Sequence, residues 1–217
     1  MKKVALVLNV FFVLFLLSST CFAQSSKYET AILKGKALLG EGHATGDFQK
    51  AINYFERIAK KETDEWLPVY YQAFAMSFAA NNLEGVKQKD QEFNKALKVL
   101  ESAEKIEENS EVLALKGFIN MLKLGNDPQN LGPLLPPVIN QLYGKALKLD
   151  SQNPRAMLFL GQMQYGSAEY FGGGTEDACA TIQKAYAIFE KQQGQEKTIM
   201  PAWGMESAKK YIDMCGK

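Results

Sequence analysis

Apolar positions recur along the chain with the spacing of one helix face. Four times a small or β-branched residue is followed four positions later by a large apolar residue, and three positions after that by another apolar residue, usually Ala. Spacings of three and four place such residues on one side of an α-helix. The sets start 45, 43 and 39 residues apart, which predicts a solenoid of helical hairpins, a kind of protein that usually binds a partner on a curved surface. The four sets are Ala51/Phe55/Ile58, Ala96/Leu100/Ala103, Ile139/Tyr143/Ala146 and Ala178/Ile182/Ala185.

Helix start and stop signals divide the chain into four hairpins and one closing helix. The glycine-rich run 40–46 is expected to break the first helix, with Asp47 capping the second. After Asp127-Pro128, helix is not expected to resume before about Pro137, which fits in a first turn. We predict an all-α, right-handed solenoid in one domain, 24–217, with hairpins at about 27–62, 64–108, 110–150 and 154–192 and a capping helix at about 201–215.

One stretch of the chain matches a known repeat. Ala146, Leu147, Leu149 and Asp150 close one hairpin, Asn153-Pro154 follows, and Leu160-Gly161 lies in the next helix. This run resembles the tetratricopeptide repeat, and Gly35, Ala75 and Gly117 take the Gly161 position in the earlier copies. The small residues are expected to let the two helices of a hairpin approach closely, while the large residues of the sets fill the gap to the next hairpin.

The likeness extends beyond the repeat itself. Together with the run 170–177 and Pro201-Ala202-Trp203-Gly204, the chain is similar to bacterial exported tetratricopeptide proteins of unassigned role. All three intervals exceed the 34 residues of the family, and the extra residues fall inside each hairpin. The resemblance implies export and helical repeats, and it implies no activity.

The N-terminus has the pattern of a signal peptide over residues 1–23. Lys2 and Lys3 precede an apolar run from Val4 to Leu17, which is shorter than the roughly 20 residues of a spanning helix. We expect cleavage after Ala23 and a periplasmic location. Attachment of a lipid at Cys21 is the less favoured alternative, because Ser18 stands where such a site usually has Leu.

Removal of that segment changes the charge and the cysteine count. Without Lys2 and Lys3 the net charge is near −1, which excludes the basic surface of a nucleic-acid-binding protein. Cys179 and Cys215 remain, and an even pair in an oxidising compartment favours a disulfide over two separate buried thiols.

The first helix of each hairpin lines a concave groove in tetratricopeptide proteins, and the resemblance implies the same here. The residues assigned to the groove are mainly apolar, aromatic or amide-bearing, which suits an amphipathic segment or an apolar ligand. They are Lys36, Gln72, Met76, Phe118, Met121, Arg155, Leu158, Gln162 and Tyr165.

Candidate chemistry is sparse. Gly172, Gly173 and Gly174 before Thr175 form a possible anion-binding loop, although a flexible turn capped by Thr175 is the favoured interpretation. His43 is the only histidine and is expected to be a solvated turn residue, because one histidine without a second His or Cys makes a poor metal site. With so little general-base chemistry available we expect no enzyme, no catalytic residue, no metal and no cofactor.

Two functions are consistent with this pattern. The leading one is an exported, non-catalytic adaptor or assembly factor that binds an unidentified protein or peptide in its groove. The alternative is a small-molecule-binding accessory of a transport system, by analogy with the exported tetratricopeptide components of TRAP-type transporters. An enclosed apolar cavity would favour the second function, and an open groove without a cavity would exclude it.

Overall fold

The computed structural model describes residues 26–193 and 198–216, so the predicted signal peptide and Cys21 lie outside the described residues. Within those ranges the chain is helical and has no strand, and none of the helices is long and apolar enough to cross a membrane. The helices are α1 (26–45), α2 (Gln49–Lys61), α3 (Trp66–Asn81), α4 (Val86–Ile106), α5 (Ser110–Asn126), α6 (Pro128–Leu131), α7 (Leu135–Leu149), α8 (Pro154–Phe171), α9 (Glu176–Gln192) and α10 (Met205–Cys215).

The helices pack in chain order as antiparallel neighbours. Helix α3 lies against α2 and α4, α5 against α4 and α7, and α8 against α7 and α9, while α10 closes the row on α9. Gly35 of α1 contacts Phe55 of α2, which completes the first hairpin. The prediction of an all-α helical-repeat fold of four hairpins and a closing helix is therefore confirmed.

The repeated apolar positions form the centre of each hairpin. All of them are buried except Ile58, which is partly buried. A Cβ atom added to Gly117 would lie 2.5 Å from Cε1 of Tyr143, and one added to Gly161 would lie 2.6 Å from Cγ1 of Ile182. The large residues Phe55, Tyr143 and Ile182 therefore fill the space left by the glycine of their own hairpin. Phe55 also stacks on Tyr71 and Tyr143 on Phe159, so these two rings fill the gap to the next hairpin as expected.

The first helix is longer than predicted. It continues through Gly40 and Gly42 as far as residue 45, and the turn begins at Gly46, where φ is 80°. Gly42 is buried against Phe48, since a Cβ at this position would come within 2.7 Å of Cδ1 of that ring. Packing of this kind offsets the roughly 1 kcal/mol by which a helical glycine is less favourable than alanine.

Helix also resumes earlier than predicted in the third hairpin. The short helix α6 starts at Pro128, and the Asp127 side chain accepts a hydrogen bond from the Asn130 backbone. Helix α7 starts at Leu135, so its first turn carries Pro136 and Pro137, where a missing N–H removes no helical hydrogen bond.

Candidate functional site

The concave face of the hairpins is covered by the chain itself. Residues 198–204, which we name the C-terminal segment, lie across the first helices and lead into α10. The Lys36 ammonium on α1 donates hydrogen bonds to the carbonyl oxygens of Thr198 at 2.6 Å and Met200 at 3.1 Å. One end of the segment is therefore fixed to the first hairpin.

Three further side chains fix the segment to the second and fourth hairpins. The Tyr71 hydroxyl donates to the Ile199 carbonyl at 2.7 Å, and the Trp203 indole N–H donates to the Tyr70 hydroxyl at 2.8 Å. The Arg155 guanidinium donates to the Trp203 carbonyl at 3.3 Å. These bonds come from α3 and α8, so the segment bridges most of the concave face.

Arg155 belongs to a buried ion pair. Its side chain is 4% exposed, and it donates to the two Glu111 carboxylate oxygens from Nε at 2.6 Å and from Nη2 at 2.5 Å. The Asn153 amide also donates to Glu111, at 3.0 Å. Burial alone would lower the pKa of Arg155, but hydrogen bonds to Glu111 and its charge outweigh that effect and raise it. The guanidinium that holds Trp203 is therefore itself held rigidly.

A cavity of about 1020 Å³ lies between the concave face, the end of α9 and the start of α10. Its size is at the upper end of the range of typical small-molecule sites, about 300–1,000 Å³. Most of its lining is aromatic or aliphatic, with polar groups near α10 and the end of α9. The lining residues are His43, Phe74, Phe78, Phe118, Phe159, Tyr186, Phe189, Gln192, Gln193, Ala202, Trp203, Gly204, Met205, Glu206, Ser207 and Lys209.

One side of the cavity is a continuous set of rings that we name the aromatic wall: Phe74, Phe78, Phe118, Phe159 and Trp203. The Trp203 ring lies 4.9 Å from Phe74, 5.0 Å from Phe118 and 5.5 Å from Phe159, measured between centroids. Phe78 extends the row, 4.9 Å from Phe74. Each ring is thus held by its neighbours at the distances of favourable aromatic pairs. The wall is a preformed apolar surface contributed by α3, α5, α8 and the C-terminal segment.

Few polar groups face this wall. The His43 ring packs edge-on to Phe78 at 4.6 Å and to Phe48 at 5.0 Å. Burial lowers the pKa of His43, and the charge of Glu206 partly opposes this, so the imidazole is neutral near pH 7. Lys209 makes no ion pair with any residue in the described ranges and is exposed at the cavity. The site can therefore hold an apolar body and offer an imidazole, an ammonium group, a carboxylate, a hydroxyl and two amides at its edge.

The second half of the predicted groove is not open. Leu158 is completely buried, and the Gln162 amide donates to the Ser207 hydroxyl of α10 at 2.9 Å. Tyr165 is 8% exposed and meets Tyr211 of α10 edge-on at 5.7 Å. Together with the burial of Arg155, these contacts contradict the expectation of an accessible groove along α8, because α10 and the C-terminal segment cover it.

The remaining predicted positions are divided between the cavity and its surroundings. Phe118 is the one that lines the cavity, whereas Lys36 is engaged with the C-terminal segment. Gln72 and Met76 are half-buried on α3, and the Met121 sulfur accepts a hydrogen bond from the Tyr143 hydroxyl at 3.0 Å. A partner-binding role for these side chains stays a prediction.

The glycine loop 172–174 has no feature that favours an anion. Gly172 ends α8 with φ of 72°, and Thr175 occupies the predicted N-cap position of α9, although its side chain makes no capping hydrogen bond. Glu176 and Asp177 lie in the first turn of α9. Their carboxylates place negative charge at the helix N-terminus, where an anion would have to bind.

Cys179 and Cys215 lie at disulfide distance, with 1.94 Å between the sulfur atoms. The bond joins α9 to α10 and so holds α10, which supplies Met205, Glu206 and Lys209 to the cavity. Across the described ranges, no group of three His, Cys, Asp or Glu side chains is arranged to hold a metal ion.

Sequence reasoning missed most of the cavity. Phe74 and Phe78 were visible only as part of one face of a helix, Trp203 only as the start of a closing helix, and His43 as a solvated turn residue. A signal was present in Trp203, since a tryptophan between Pro201 and Gly204 in an irregular stretch is rarely left in solvent. Its packing partners could not be identified, because no periodicity relates it to residues such as Phe159 and Tyr70, which lie 44 and 133 positions earlier.

The fold and the cavity define a helical-repeat protein with an internal apolar site. No family model and no curated protein matches the chain. Among solved structures, the HusA haemophore from Porphyromonas gingivalis matches with a TM-score of 0.75 and 23% identity, over 87% of this chain and 92% of that one. Likeness at this level shows a shared fold. The MamA RS-1 ArsTM double mutant matches with a TM-score of 0.31 and 13% identity, over 76% of this chain and 97% of that one, which is too low to define a common fold.

Proposed function

We propose that this protein is a non-catalytic binding protein for a planar, largely apolar ring system of the tetrapyrrole type, held in the cavity against the aromatic wall. The observation that carries the proposal is the wall itself. Five rings in mutual contact present an apolar surface that is already in place, so stacking a flat ligand on it requires little reordering of side chains.

The polar groups of the cavity suit the edge of such a ligand. Natural tetrapyrroles carry carboxylate side chains, and Lys209 offers an ammonium group that has no ion-pair partner among the described residues. Gln192 and Gln193, also in the lining, offer amide donors to carboxylate oxygens. Glu206 carries the opposite charge and would be disfavoured beside a ligand carboxylate, which favours an orientation with the acid groups at Lys209.

The structural comparison gives independent support. The solved protein that shares the fold is described as a haemophore, and haem is a planar, mostly apolar ring with acidic side chains. The support is limited to the fold, so the aromatic wall of this chain remains the main argument.

The cavity also supports one of the two functions that the sequence left open. A peptide in the predicted groove would have to displace the C-terminal segment, and with it the hydrogen bonds from Lys36, Tyr71, Trp203 and Arg155. A small molecule requires no such displacement. We therefore favour the small-molecule interpretation over the protein-binding adaptor; the tetratricopeptide assignment, the transport association and the export signal stay predictions.

Tryptophan fluorescence tests the proposal. The chain has two tryptophans, and Trp66 is outside the cavity lining, so Trp66→Phe leaves Trp203 in the wall as the only reporter. The full chain carrying this substitution is titrated with haem, with metal-free protoporphyrin and, as a flexible apolar probe, with palmitate. We expect saturable quenching of Trp203 by the two rings at one ligand per chain, and weaker binding of palmitate.

Two alanine substitutions, one in the aromatic wall and one control outside the cavity, test where the rings bind. Phe118→Ala in the wall is expected to weaken binding of both rings about tenfold, since a stacked aromatic contributes about 1 kcal/mol beyond its buried area. Phe171→Ala, at an 80% exposed aromatic outside the lining, should leave affinity unchanged. Quenching that does not saturate, equal affinity of the two variants, or preference for palmitate would overturn the proposal.

A further inference from the structure

His43 combines two properties that no other residue of the chain shares. It is the only imidazole in the sequence, and it lines the cavity that contains the aromatic wall. It lies in the last turn of α1, within the glycine-rich run 40–46 that was expected to break the helix. Without those extra residues of helix, the imidazole would lie in an irregular turn rather than at a fixed place beside Phe78.

The ring of His43 is fixed by aromatic neighbours. Phe48 and Phe78 meet it edge-on with interplanar angles of 86° and 79°, and Phe74 lies 6.4 Å away. Phe78 in turn lies 6.0 Å from Phe118, so the imidazole continues the row of rings that ends at Trp203. A ligand stacked on the wall therefore lies in the same cavity as an imidazole whose ring is packed in place.

The other lining groups that could bind a metal are less suited to do so. The Met205 sulfur already accepts a hydrogen bond from the Gln193 amide at 3.2 Å. Burial and the nearby Glu190 carboxylate raise the pKa of Tyr186, which keeps its phenol protonated and a poor ligand. A neutral imidazole, by contrast, is a ready ligand for iron.

We propose that His43 would ligate the metal of an iron tetrapyrrole bound in this cavity, so that the protein distinguishes the metal-loaded ring from the metal-free one. The inference rests on the proposed function, because it requires the ring to occupy the cavity. It adds a metal-binding role for a residue whose sequence context indicates only a solvated turn.

The test compares two ligands and two proteins. Ferric haem and metal-free protoporphyrin are each titrated into the full wild-type chain and into His43→Ala, with binding followed by Trp203 quenching and ligation by the absorption spectrum of the haem. We expect His43→Ala to weaken haem binding at least tenfold, because loss of even an outer-shell partner of a metal ligand costs about 10–100-fold. Affinity for metal-free protoporphyrin should stay within about twofold, since only the imidazole–metal bond is removed.

Spectral changes separate ligation from a structural effect. The absorption band of bound haem should shift in His43→Ala and return when free imidazole is added, a rescue that a merely misfolded variant would not show. Tyr170→Phe and Met200→Leu, at exposed residues outside the cavity lining, should leave the spectrum unchanged. If both ligands bind wild type and His43→Ala equally well, or if either of the other variants changes the spectrum instead, the ligand assignment is wrong while the proposed function stands. If neither ring binds the wild-type chain, both proposals fail.

Discussion

Removing one partner of the buried pair between Arg155 and Glu111 should destabilise the protein far more than removing one partner of a more exposed ion pair of similar length. Glu111→Ala leaves the guanidinium, whose side chain is 4% exposed, without its counter-charge, and it removes the acceptor of the Asn153 amide. A matched control exists in Glu104→Ala, because Glu104 pairs with Lys116 at the short distance of 2.6 Å but with side chains 28% and 25% exposed. The two substitutions are the same chemically and differ in burial.

The expected magnitudes follow from that difference. Removing one partner of a buried pair costs about 3–5 kcal/mol, whereas a solvent-accessible pair contributes about 0–1 kcal/mol. With a urea dependence of about 2 kcal/mol/M, Glu111→Ala should lower the unfolding midpoint by about 2 M and Glu104→Ala by no more than about 0.5 M.

Equilibrium urea denaturation followed by circular dichroism measures both midpoints. The fluorescence of Trp203 in the Trp66→Phe background adds a local reading, since Arg155 also donates to the Trp203 carbonyl and a loosened guanidinium should change the environment of that indole. Equal midpoint shifts for the two variants would show that the buried Arg155 guanidinium does not need the Glu111 carboxylate for its stability. The proposed way in which Arg155 holds the C-terminal segment would then be wrong.

Three further predictions concern packing, covalent linkage and pH. Gly161→Ala should destabilise the protein by about 1–3 kcal/mol, because the added Cβ overpacks against the neighbouring helix. Gly144→Ala has no atom within 4 Å of the added Cβ, so it should be neutral or stabilise the protein by up to about 1 kcal/mol. Thermal unfolding of the two variants measures the difference. Replacing Cys179 and Cys215 with serine opens a link over 36 residues and should cost about 3–4 kcal/mol, and the same loss should appear in the wild-type chain on addition of reductant. Desolvation lowers the pKa of His43 in the folded chain. Just below the ordinary histidine pKa of about 6.5, the unfolded state therefore binds more protons than the folded state. The free energy of unfolding should accordingly fall as pH drops through that value. His43→Gln should flatten this fall, and an unchanged pH profile would contradict the lowered pKa of the imidazole.

The fold was accessible from the sequence because it depends on local periodicity. Phe55, Tyr143 and Ile182 recur at helical spacing, and each meets a glycine of the preceding helix in the same hairpin. The predicted helix ends were wrong where tertiary packing outweighs the low helix propensity of glycine. The glycines at 40 and 42 suggested a break, but α1 continues because Gly42 lets Phe48 approach it closely.

The site was accessible only in part. Phe118 could be placed on the concave face from its register relative to Gly117, and it lies in the cavity. The covering of that face by Trp203 and α10 could not be predicted, because these contacts join residues up to 164 positions apart and follow no repeat. The repeats alone therefore predict an open groove, whereas the C-terminal segment and α10 cover it.

A crystal structure of the full chain with bound iron protoporphyrin tests the central claim most directly. We predict electron density for one ring between the aromatic wall and α10, in contact with Phe118 and Trp203, with the iron bonded to a nitrogen of His43. Density for the ring at any other surface, with the wall left as it is in the free chain, would show that the cavity is a packing feature and not the binding site.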